Sequence, residues 1–162
     1  MLILIKILLV ACFAVVCYQD FRKRSFYWFL VPAILVLSAL LVMLPMGSIG
    51  WVVRMSAINA LLLAILVGGM LLYIFVKRGS LKGAIGREVG IGDLLLFAGI
   101  IPLFTPVMFI AVLLASFVGG LLFYLAVLAL GRPKTTIPLA GVLAAICLLY
   151  ILSPTAFTFV LY

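Results

Sequence analysis

The chain has 162 residues, 70% of them hydrophobic and only 9% charged, against about 45–50% apolar and about 25% charged residues in a soluble domain. This excludes a soluble enzyme and points to a polytopic membrane protein, an all-α bundle forming one unit over 1–162 with no soluble domain of useful size. The net charge of +8 would indicate nucleic acid in a soluble protein. Here the cations sit in short loops between apolar runs, where membrane topology demands them, and no nucleic-acid partner is expected.

Taken in order, residues 2–19 form a first predicted span, with Lys6 near its outer end. Residues 20–26 are a tight polar loop holding Arg22, Lys23 and Arg24. A second span covers 27–45, opened by the interfacial aromatics Tyr27 and Trp28. Residues 46–53 make a glycine-containing turn, and 55–76 a third span. A polar, glycine-rich interval follows at 79–93, with Gly79, Gly83, Gly86, Gly90 and Gly92. The run 94–130 is too long for one simple helix and contains Pro102 and Pro106. It divides there into a short fourth helix and a fifth from about Val107. Residues 131–138 form a second basic loop, and a sixth span runs from 139 to about 160. The glycine pairs Gly68–Gly69 and Gly119–Gly120 are expected to permit close helix packing.

Charge supports six spans. That arrangement gathers Arg22, Lys23, Arg24, Lys77, Arg78, Lys82, Arg87, Arg132 and Lys134 on one side, leaving Lys6 and Arg54 for the other. Basic residues in short loops mark the cytoplasmic side, so both termini lie on the non-cytoplasmic side. The basic loops should hold this face against anionic lipid, at about 1 kcal/mol per residue near the surface. Leu9, Val10, Ala11 and Cys12 look like a lipoprotein cleavage box, but Lys6 alone does not outweigh the Arg-Lys-Arg just downstream.

Few chemistries survive the composition. There is no histidine, which removes Ser–His and Cys–His nucleophiles and an HExxH zinc site. Cys12, Cys17 and Cys147 lie in apolar runs without CxxC spacing and read as small core residues. With three acidic residues in all, a catalytic metal lacks ligands, and no cofactor is expected. Ser80 and Lys82 are two apart and do not share a helix face.

The three acids are Asp20, Glu88 and Asp93. In the six-span arrangement Asp20 ends the first helix and Asp93 begins the fourth, at the same face and depth. Two carboxylates close together cannot both ionise cheaply, so they share a proton, the arrangement of a general acid–base pair for peptide hydrolysis. Asp93 also fits a helix N-cap. The helix dipole favours the anion at a helix start and disfavours it at an end, making Asp93 the expected base and Asp20 the acid. Gly90 and Gly92 leave room for an extended substrate backbone to approach Asp93.

The Gly-Ile-Gly-Asp at 90–93, opening a helix and preceded by Asp20 at the end of an earlier one, resembles the type IV prepilin peptidases, intramembrane aspartyl proteases of the GxGD type. Asp20 followed by basic residues, the six spans, and the run Lys134-Thr-Thr-Ile137-Pro138-Leu-Ala-Gly141, which looks like the family's late K-x-x-I-P-F-G-P element, extend the likeness over essentially the whole chain. The resemblance implies that Asp20 and Asp93 are catalytic. It further implies that the leader of a prepilin-like membrane precursor is cut after a glycine, at the cytoplasmic face of a bacterial or archaeal plasma membrane. Nothing corresponds to the cysteine tetrad of larger members, so no N-methyltransferase activity is implied. The chain also departs from the family at Phe26, Tyr27 and Trp28, where I-P-N is usual, and at Leu95, where GxGDxK has lysine. A transporter or export component using Asp20 and Asp93 as a proton relay, or an inactive assembly scaffold, stands as the alternative.

Glu88 lies near Asp93 among cations, and pairs with Arg87, Arg78 or Lys82 or attracts a basic leader. If it attracts the leader, Glu88→Gln slows cleavage of strongly basic leaders more than weakly basic ones in a peptide assay. Equal slowing would refute that role.

Overall fold

The computed structural model describes residues 1–23, 25, 27–79, 90–131 and 138–153. Among them are six α-helices and no strand: α1 (Leu2–Lys23), α2 (Leu30–Met46), α3 (Ile49–Arg78), α4 (Ile91–Gly99), α5 (Pro106–Ala129) and α6 (Leu139–Leu152). A 3₁₀ turn, Ile101–Leu103, joins α4 to α5. Helices α1, α3 and α5, of 22, 30 and 24 residues, are long and apolar enough to cross a membrane, which takes about 20 residues at about 1.5 Å each. The other three are apolar but shorter.

Because these helices are apolar on every side, sequence periodicity does not mark which face turns inward. The structure does. In α1 the buried positions are Ile5, Leu9, Phe13, Val16 and Asp20, a stripe at the helical repeat. Asp20 is thus the polar end of the helix's inward face. α1 packs most extensively on α6 and next on α2. The buried side of α6 includes Ala140, Gly141 and Ala144, whose small side chains permit close approach. A single apolar core gathers Leu9 and Phe13 of α1, Ile34 of α2, Leu96 of α4, Phe109 of α5 and Leu143 of α6. From α3 Leu63 joins it, with Leu66 and Val67 packed against it.

Several helix ends differ from expectation. α1 continues through Lys23, so Asp20 lies within its last turns instead of opening a loop. α2 begins at Leu30, leaving Tyr27 and Trp28 exposed in the preceding turn. There the Tyr27 N–H donates to Gln19 Oε1 (3.2 Å), and its ring stacks on Phe29. The expected turn at 46–53 shrinks to Gly47 and Ser48, because those two residues suffice to end one helix and start the next. Gly47 takes the left-handed conformation (φ 61°) that closes α2 and that glycine adopts without steric cost. Ser48 Oγ caps α3 by accepting from the Trp51 N–H (3.4 Å). The expected sixth span begins at Leu139 as predicted and is described as far as Ser153; its end near 160 lies outside the described residues.

The break between α4 and α5 falls at the prolines. Pro102 sits in the 3₁₀ turn and Pro106 at the first position of α5. Backbone carbonyls freed by such a break need partners in an apolar interior. Asn59, fully buried on α3, supplies them: its Nδ2 donates to Ile101 O (2.9 Å) and Phe104 O (2.7 Å). Its Oδ1, and Ser38 Oγ on α2, are buried without a hydrogen-bond partner among the described residues, a cost of about 1–3 kcal/mol each unless otherwise satisfied. At the other side of α4, a Cβ on Gly99 would stand 3.4 Å from Val31 O, so α4 lies tightly against α2.

The two glycine pairs behave differently. A Cβ on Gly119 would come within 2.8 Å of Val142 Cγ1, so α5 and α6 do meet closely there. At Gly68 and Gly69 nothing among the described residues lies within 4 Å of the added atom; the expected close packing is absent because both glycines lie on an exposed face of α3. Gly119→Ala is therefore expected to destabilise by about 1–3 kcal/mol through overpacking, while Gly68→Ala leaves stability unchanged or slightly raised. Thermal unfolding of the detergent-solubilised chain distinguishes the two.

Candidate functional site

The first four N–H groups of any α-helix lack an acceptor within the helix. In α6 the first backbone hydrogen bond runs from Val142 N–H to Pro138 O, which leaves the N–H groups of Ala140 and Gly141 pointing out of the helix start. Each meets a carboxylate from a different helix. Gly141 N–H donates to Asp20 Oδ2 at 2.6 Å, in a buried contact. The Ala140 N–H faces the Asp93 carboxyl, which also lies within electrostatic reach of Asp20. Two adjacent peptide groups thus bring the acids of α1 and α4 together.

Local structure explains how each acid reaches this point. Asp20 arrives because it continues the inward stripe of α1, four residues after Val16, and it is only 7% exposed. Asp93 is half-buried and is the third residue of α4, whose N-cap is Gly90; the expectation that Asp93 itself is the cap is corrected by one turn. An acid at the third position can fold back over the helix start, and Asp93 does. A Cβ on Gly90 would stand 2.5 Å from Asp93 Oδ2, so the space beside Gly90 goes to the carboxylate itself. Gly92 is the second residue of α4 and half-buried. Leu95, at the motif's lysine position, is exposed.

Gly141 is required for the same reason on the other side. Its absent Cβ would stand 2.9 Å from the Phe21 ring and 3.0 Å from Asp20 Oδ2. Phe21 follows Asp20 directly and makes an edge contact with Phe123 of α5, ring centroids 5.6 Å apart, which closes the pair on one side. Cys17, one turn before Asp20, is within its electrostatic reach.

The electrostatics also differ from the sequence argument. Asp20 does sit near the unfavourable end of the α1 dipole, but the positive end of α6 faces both acids. A helix start favours nearby anions by about 0.3–1 kcal/mol when exposed and up to about 2 kcal/mol when partly buried. That contribution is shared between Asp20 and Asp93 and so does not separate acid from base. Among the described residues no three His, Cys, Asp or Glu side chains gather into a metal-ligand set. Glu88, Lys82, Arg87, Arg132 and Lys134 lie outside the described residues.

Sequence reasoning named both aspartates but not the two N–H groups that join them. A signal was present: Pro138 marks a helix start, and the helix after it offers unpaired donors. Which acceptors they would meet depends on the packing of α1 against α6. No protein-family model, no curated protein and no solved structure matches the chain.

Gly141→Ala is expected to push Phe21 and Asp20 away from α6 and destabilise the fold by about 1–3 kcal/mol. Thermal unfolding in detergent measures it, and a melting temperature equal to the parent's would show that the contact carries no weight.

Proposed function

We propose that the chain is an intramembrane aspartyl endopeptidase that removes the basic leader of type IV prepilin-like precursors. In this reading six apolar helices cross the plasma (inner) membrane of a bacterium or archaeon, with both termini on the non-cytoplasmic side and the two acids at the cytoplasmic face. Cleavage follows a glycine just before the precursor's hydrophobic helix. The observation that carries the reading is the convergence of Asp20 and Asp93 on adjacent N–H groups of α6, although 73 positions separate them in sequence.

The chemistry follows from the pair. Two carboxyls within electrostatic reach hold one proton between them at lowest cost. The ionised member takes a proton from water as that water attacks the scissile carbonyl, and the protonated member gives its proton to the carbonyl oxygen. Asp93, half-buried and at a helix start, is assigned the base, and the more deeply buried Asp20 the acid. The short α4, ended by the proline break, is of the discontinuous kind that surrounds binding sites in membrane bundles, and it gives water a route to Asp93.

Both acids also cap α6, and this makes a clean test available. Asparagine keeps a side-chain oxygen to accept the same N–H while losing the transferable proton. Asp20→Asn and Asp93→Asn are therefore expected to fold as the parent does, yet to cleave a prepilin-like peptide in detergent at least about 10²-fold more slowly. Parental cleavage by either variant would sink the reading. Absence of cleavage by the parent under all conditions would shift weight to the proton-relay transporter.

A further inference from the structure

The α4 helix is nine residues long and meets polar groups of other helices at both ends. At its start α4 touches α6 and Asp93 faces the Ala140 N–H. Just past its end, Ile101 O and Phe104 O accept from Asn59 Nδ2 of α3. Between them α4 and the 3₁₀ turn are covered by apolar contacts with α2 and α3. Such contacts resist separation but are non-directional and do not fix how far a smooth helix slides along its axis. Hydrogen bonds do, because they weaken steeply with misalignment.

We propose that Asn59 is a positioning residue for the carboxylate pair: its amide sets the depth of α4 and thereby the register of Asp93 against Ala140. A helix of about 13.5 Å is stiff, so a shift allowed at the break appears undiminished at Asp93. The amide is held there for its donors. Both Nδ2 hydrogens are used on the break, while Oδ1 is buried without a hydrogen-bond partner among the described residues, an arrangement an apolar side chain would avoid. Ser116, equally buried, shows the contrasting case: its hydroxyl donates to Val112 O of its own helix (2.7 Å) and ties no second element.

The activity side of this inference rests on the peptidase reading; the geometric side does not, and the experiment separates them. In a chain with Cys12, Cys17 and Cys147 replaced, Asp93→Cys and Ala140→Cys are introduced together and their oxidative cross-linking is measured in native membranes. This background removes the Asp93 contact, so the register depends on the break. Adding Asn59→Leu, or the isosteric Asn59→Asp, is expected to lower the cross-linking rate at least about tenfold, since a displacement near 1 Å is enough to cost about 10²-fold in a proximity-limited step. Ser116→Ala is expected to change nothing. With both aspartates present, the same Asn59 variants should lower kcat on a prepilin-like peptide by about 10²-fold, with KM within about twofold of the parent. Parental cross-linking in whichever Asn59 variant folds overturns the proposal. Normal cross-linking in the cysteine-pair chain, together with no cleavage by the chain that keeps both aspartates, overturns the peptidase reading and leaves the positioning role intact.

Discussion

Two neighbouring peptide N–H groups organise the molecule. Ala140 and Gly141 open α6, and each needs an acceptor that its own helix does not supply. The acceptors come from α1 and α4, so a requirement of local helix geometry is met by tertiary contacts, and the chain's sparse acids are drawn to one point. Away from water this arrangement is mutually enforcing. An uncapped helix start and an uncompensated carboxylate are each costly there, and each is the other's remedy. The same contacts therefore serve stability and, in the proposed reading, catalysis.

Close approach is what makes the arrangement possible, and it is specified by what two residues lack. A side chain at Gly141 would meet Phe21 and Asp20, and one at Gly90 would meet the Asp93 carboxylate. Neither glycine is needed for an unusual φ angle. Their value lies in the volume left for a carboxylate, which differs from the role that a glycine-rich motif invites, namely space for substrate. Phe21 then covers Asp20 from one side, while Asp93 stays half-exposed. The pair is thus asymmetric in burial, though both members share the positive end of one helix.

The helix break gives the second constraint. Pro102 and Pro106 interrupt an apolar run and leave carbonyls that lipid does not satisfy; Asn59 answers them from a different helix. The short α4 is consequently suspended between two polar contacts in an otherwise apolar core. One lies at the carboxylate pair and one at the break.

Much of this was legible in the chain itself. Apolar runs of the right length, prolines 102 and 106, and cations kept mostly to the edges of those runs were enough to name six helices and their order. The scarcity of acids was enough to single out Asp20 and Asp93. Helix ends were less legible: Gly47 and Ser48 make a turn far shorter than the polar stretch around them suggested. Inward faces were not legible at all, because a helix that is apolar all round carries no amphipathic signal. For that reason Asn59, a lone amide within an apolar run, gave no hint of its two partners, and Gly68 looked equivalent to Gly119. Composition determines that such a chain forms apolar helices, since that depends only on local hydrogen bonding and on hydrophobicity. Which N–H meets which carboxylate was decided by the packing of α1 and α4 against α6, a relation between residues too far apart in sequence for any local pattern to encode.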